Sequence, residues 1–230
     1  MIRLRGVLGF AAGAAAVLSV SAPRDASAQQ AGYTADRLIL APNPDDGFAS
    51  MRPVMAERTR FFGSLTADYI RRPLKISNIT DKPAIQNSFG APISNQATAY
   101  GTAGAEILGR FSLSVTMPLT FVNTSNNPSA QDTTIGAIQT KSAAAGDLRL
   151  DGRVILYTSD SKKFSTGIGA TYFVPTGNDL SFAGDGEGHS LFQILFEERL
   201  GPFIVNEYAG VHLRGRHNVG TLSFQNELTF

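Results

Sequence analysis

Cysteine and tryptophan are both absent from this chain, and histidine occurs only three times in 230 residues. Without cysteine there is no disulfide, no thiolate metal site, no thiol nucleophile and no acylated lipoprotein anchor. A formal net charge of +1 removes the electrostatic case for nucleic-acid binding. The histidines, His189, His212 and His217, are not spaced as paired metal ligands, so neither a metal nor a cofactor is expected. Missing Trp withholds a residue typical of membrane-interface girdles, a place that Phe111, Phe121, Tyr157, Tyr172 and Phe230 would have to fill. Past the N-terminal region no apolar run approaches the roughly 20 residues of a helical membrane span.

The N-terminal region reads as a secretory signal. Arg3 and Arg5 form a positive start, residues 7–20 an apolar core of small residues, and Ala26-Ser27-Ala28 an A-x-A cleavage pattern. This predicts export with cleavage after Ala28, a polar leader over 29–57 and one folded domain over 58–230. Any membrane residence of that domain would have to be by strands or by surface contact.

What the chain has instead of long apolar runs is alternation. In FSLSVTMPLTF, residues 111–121, Phe111, Leu113, Val115, Met117, Leu119 and Phe121 alternate with Ser112, Ser114, Thr116, Pro118 and Thr120. Successive side chains of a strand point to opposite faces, so this is a strand with one apolar and one polar side. It is about twice the usual strand length of five or six residues, and at a tilt near 40° it would cover roughly 25 Å, the apolar height of an outer-membrane barrel. Eight such strands are read at 58–70, 96–108, 111–121, 147–157, 163–174, 189–199, 203–213 and 222–230. Long connections rich in Asn, Gly, Ser, Pro and Asp alternate with tight ones at 109–110, 158–162 and 200–202. Short periplasmic turns with longer extracellular loops are the asymmetry of bacterial outer-membrane barrels. The expected fold is therefore all-β: an antiparallel up-and-down transmembrane β-barrel of about eight strands, either complete or a piece of a larger barrel. The competing reading is a soluble secreted β-sandwich acting as a binding module.

Face assignment places Asp68, Arg149, Asp151, Arg153 and Glu227 in the lumen, together with His212, and Glu207 on the lipid side. Buried unpaired charges are costly, so the lumen charges are expected to pair with one another. Eight strands enclose an interior just filled by side chains, or one small ligand, so a plugged lumen is expected. Arg71, Arg72 and Lys75 fall at the outer rim, where they could meet lipopolysaccharide phosphates, solvated charge being the simpler reading. Chemistry is thinly represented. A lipid hydrolase could be assembled from Ser223, His212 or His217, and Glu227, but no local motif singles these out. Asp179, Asp185 and Glu187 offer at most a weak surface calcium site, and a solvated loop is the simpler reading. GDGEGH lacks the Lys-Ser/Thr of a phosphate loop.

Several stretches carry a resemblance. AGDLRLDGRVILY (145–157), YFVPTGND (172–179), FAGDGEG (182–188) and NELTF (226–230) resemble the Gly-Asp-Leu, Pro-Thr-Gly-Asp and Phe-Ala-Gly-Asp-Gly elements of a group of Gram-negative outer-membrane barrels. That group is similar to the "MetA-pathway of phenol degradation" channels and to the N-terminal barrel of OmpA-family proteins. The terminal SFQNELTF resembles the insertion signal read by the barrel-assembly machinery, with Gln225 and Asn226 departing from it. The resemblance implies residence in the outer membrane among lipid and lipopolysaccharide, and a structural or porin-like small-solute transport role without catalysis. OmpA-type relatives continue into a peptidoglycan-binding domain, for which these 230 residues leave no room.

Overall fold

A computed structural model describes residues 38–71, 95–123, 143–177, 183–215, 217–219, 222–224 and 226–230. The described residues form strands and irregular segments, with no helix among them. Eleven strands follow in chain order: β1 (Arg60–Arg71), β2 (Asn95–Ile107), β3 (Phe111–Asn123), β4 (Ala143–Ala145), β5 (Leu148–Thr158), β6 (Phe164–Val174), β7 (His189–Leu200), β8 (Phe203–Leu213), β9 (His217–Val219), β10 (Leu222–Phe224) and β11 (Glu227–Thr229). Nine of them make one antiparallel sheet in the order β1-β2-β3-β5-β6-β7-β8-β11, with β4 added on β3. β9 and β10 pair only with each other.

The alternation in sequence becomes an alternation in environment, and its sense is inverted relative to a water-soluble sheet. Along β3, Leu113 is 52% exposed whereas Ser114 is 5% exposed. The same inversion runs across the sheet. One outer row passes from Leu113 through Gly152, Ala170, Phe192 and Val211 to Leu228, while the adjacent inner row passes from Ser114 through Asp151, Thr171, Leu191 and His212 to Glu227. Register by twos keeps most of the apolar side chains on the same side, with Leu191 and Leu195 of β7 turned inward.

Tight turns hold that register at one end. Leu108 and Gly109 take positive φ, and the Arg110 amide donates to the Ile107 carbonyl. In the β7–β8 hairpin Leu200 pairs Phe203, leaving a two-residue loop in which Gly201 adopts φ 63° before Pro202, the residue types a two-residue hairpin selects. One bulge, between Ile155 and Tyr157 of β5, shifts the last residues of that strand. The bulge turns Tyr157 outward, where its ring lies 6.4 Å from that of Phe164.

The sheet is rolled. Laid flat at about 4.8 Å per strand, β2 and β11 would sit roughly 29 Å apart. Thr98 of β2 and Thr229 of β11 nonetheless line one cavity. The roll is open at one seam: among the described residues no ladder joins β1 to β8 or β11. β11 covers β8 only from His212 to Gly210. The expected strand at 222–230 is thus divided, its first part folding back on β9 and only Glu227–Thr229 joining the main sheet.

Candidate functional site: the polar interior

Residues 38–57, which precede β1, have no strand or helix of their own, yet Leu40, Met51 and Met55 are buried. They enter the inner face of the rolled sheet. Gly167 and Gly169 of β6 make room there: a Cβ on Gly169 would come to 3.2 Å from the Met51 sulfur, and one on Gly167 to 3.3 Å from Pro53.

Polar contacts fix this leader at the end that carries the tight turns. Glu106, with 0% exposure, accepts hydrogen bonds from Asn43 Nδ2 (2.7 Å), the Ala56 amide (2.9 Å) and Arg60 Nε (2.7 Å). Glu197 accepts from Arg52 Nε (2.8 Å) and Arg199 Nε (3.0 Å). Arg153 donates to Asp46 Oδ1 and to the Arg52 carbonyl, each at 2.5 Å. Burial pushes the Asp46 carboxyl above its ordinary range, and the Arg153 guanidinium opposes that rise. Asn206 of β8 donates to Ser50 Oγ and the Met51 carbonyl. A segment bonded to β2, β5, β7 and β8 together fills this half of the interior.

The other half, toward the long connections, holds a cavity of about 470 Å³. Two constructions frame it. In the first, Asp147, just before β5, accepts from the amides of Gly177 and Asp185, both at 2.8 Å. A Cβ on either Gly177 or Gly184 would come to 2.8 Å from Asp147 Oδ1, so both positions need glycine for close approach. The Gly-Asp-Leu, Pro-Thr-Gly and Ala-Gly-Asp stretches that stand out in the sequence therefore meet at one carboxylate. Burial raises the Asp147 carboxyl, and the two amide hydrogen bonds pull against it.

The second construction is a hydrogen-bonded file of side chains. Arg214 Nη2 lies 3.3 Å from His212 Nδ1, His212 Nε2 lies 3.2 Å from His189 Nδ1, and His189 Nε2 lies 3.0 Å from Asp185 Oδ2. Arginine can only donate and a carboxylate can only accept. The file closes without conflict when each imidazole is neutral and carries its proton on Nε2, a tautomer assigned from the bonding pattern. Phe173 stacks on His189 with ring centroids 4.1 Å apart.

The expected lumen residues fall at definite places. Arg149, Asp151 and Arg153 are buried on the inner face; Arg149 Nε bonds Asp151 at 2.9 Å, and Thr171 donates to the same carboxylate at 2.8 Å. Arg153 is not paired within the sheet as expected but with the leader. Asp68 is half-buried on β1 and accepts from the Thr98 amide, and Glu227 lines the cavity. Arg71 is exposed at the end of β1 nearest the long connections, while Arg72 and Lys75 lie outside the described residues. Of the hydrolase set, His212 belongs to the file above, and the side chains of His217 and Ser223 are outside the description. Asp179 is likewise outside it; Asp185 is bonded to His189, and among the described residues no cluster of His, Cys, Asp or Glu is arranged for a metal.

Two features are not legible in the residues alone: the leader as interior filling, and the Asp185–His189–His212–Arg214 file. The signal for the first was present as Leu40, Met51 and Met55 scattered among Asn43, Asp46 and Arg52. The second joins two stretches, 185–189 and 212–214, whose meeting no local spacing reveals.

Together these features define a rolled antiparallel sheet with an apolar exterior and a packed polar interior. In comparisons with known proteins, no family model, no curated protein and no solved structure matches the chain.

Proposed function

We propose that this chain is an outer-membrane β-barrel protein that serves a structural or small-solute role and carries out no catalysis. One observation supports the reading above the rest: most side chains of the inner face are polar and buried, with Leu191 and Leu195 among the apolar exceptions, and most of those of the outer face are apolar and exposed. Phe111, Leu113, Val115, Leu119, Ile168, Phe192 and Ile194 all present large apolar surfaces on the outside. Each such side chain left in water would forgo about 1.5–3 kcal/mol of burial, whereas hydrocarbon is the solvent that suits it. A sandwich would need a second sheet over this face, and among the described residues the remaining sheet is the short β9–β10 pair. No helix among the described residues is long and apolar enough to cross a membrane.

Closure of the ring belongs to this reading. β1 and β8 run in the same direction, so an antiparallel strand between them must complete the ladder, and β11 occupies that line. The tight turns face the periplasm and the long connections the cell exterior. The leader then stops the periplasmic half, and the cavity opens outward. Arg71 sits at the level of lipopolysaccharide phosphates, and the barrel-assembly machinery is the partner for insertion. In this reading the likeness to channel-family barrels is one of architecture, with the pore closed by residues 38–57.

The test is fractionation of cells expressing the chain, with electrophoresis of boiled and unboiled samples. Outer-membrane recovery and a heat-dependent shift in mobility are expected; recovery in the periplasm without detergent contradicts the proposal.

A further inference from the structure

We infer that the cavity toward the long connections is a binding site for a neutral, polyhydroxylated molecule of mono- or disaccharide size. The inference rests on the barrel reading only for the direction of access. Its volume, about 470 Å³, falls within the roughly 300–1,000 Å³ of small-molecule pockets.

Charge matching decides the ligand class. Every charged group on the wall is already engaged by the protein: Asp147 by two backbone amides, Arg149 by Asp151, Asp185 and Arg214 through the histidine file, and Glu227 by a partner of its own. A charged ligand would have to break one of these pairings and pay for the partner left behind. What the wall offers unspent is uncharged or single-donor capacity. Among the described residues the buried hydroxyls of Thr98 and Thr229 and the buried Arg214 Nε–H have no partner, and a ligand would reach them through a small shift of the wall. Groups that donate and accept at once satisfy such a set best, and these are hydroxyls. Ile39 and Ala49 of the leader form an apolar floor, and Tyr100 and Tyr208 bring aromatic surface to the same space. A sugar-like molecule presents that combination, with C–H faces for the rings and hydroxyls for the threonines. Because the leader fills the interior beyond the floor, the ligand is held and not passed through.

The experiment is equilibrium dialysis of the full chain in detergent micelles against radiolabelled sucrose and glucose, with phosphate, choline and glycine betaine as charged and zwitterionic competitors. Saturable sugar binding is expected, about tenfold weaker in Thr98→Val and Tyr208→Ala and unchanged in the exposed-turn variant Ser161→Ala. Charged competitors should not displace the sugar. Binding that does not saturate, that Thr98→Val and Tyr208→Ala both leave intact, or that the charged probes displace overturns the inference. The boiled and unboiled gel shift is read on the same samples. Loss of the shift with sugar binding retained rejects the barrel and keeps the site; a shift without binding does the reverse.

Discussion

The interior is stabilised by charges whose partners come from distant parts of the chain, and single substitutions expose that dependence. Asp46→Ala leaves Arg153 on the inner face without its carboxylate, and removing one member of a buried pair costs about 3–5 kcal/mol. Urea unfolding in detergent should show a loss of that size, with Asp46→Asn retaining part of it through its remaining oxygen. Asp147 carries a pH signature. Burial raises its carboxyl above the ordinary 3.8, so the folded protein binds this proton more tightly than the unfolded chain does. The stability it contributes is therefore complete below 3.8 and is lost as pH rises through the higher folded value. Asp147→Asn should remove this slope from the acid limb of a stability-against-pH curve. An unchanged slope would place the carboxyl in water.

At the level of strands, legibility followed the strictness of alternation. β3 and β5 can be read directly, because Ser112, Ser114 and Thr116, like Arg149, Asp151 and Arg153, occupy every second position without interruption. β8 is harder: it mixes Asn206, Tyr208 and His212 inside with Val205, Glu207 and Ala209 outside, so neither face is uniform. The end of the chain is misread as one strand because Leu222, Phe224, Leu228 and Phe230 continue a period of two across Gln225 and Asn226. In the fold Asn226 accepts a hydrogen bond from the Arg214 amide, and that contact divides β10 from β11. The leader shows no period at all, since its side chains answer positions on six strands, β1, β2, β3, β5, β7 and β8, as well as its own backbone. Its packing makes a prediction for the segment as a unit. The intact protein should be silent in planar bilayers, whereas a form lacking residues 38–57 should give discrete conductance steps. Conductance in the intact protein, or silence in both, contradicts a plug.

For the whole molecule, the account depends on the outer face meeting hydrocarbon. The chain has no native cysteine, so single cysteines can be introduced and spin-labelled without background. The decisive measurement is the accessibility of labels at Leu113, Ile168 and Phe192, and at inward Ser114, to oxygen and to a water-soluble nickel chelate in lipid vesicles. High oxygen and low chelate accessibility is predicted at the three outward sites, with low accessibility to both reagents at Ser114. Ready access of the chelate to Leu113, Ile168 and Phe192 would show water there and would contradict the membrane assignment.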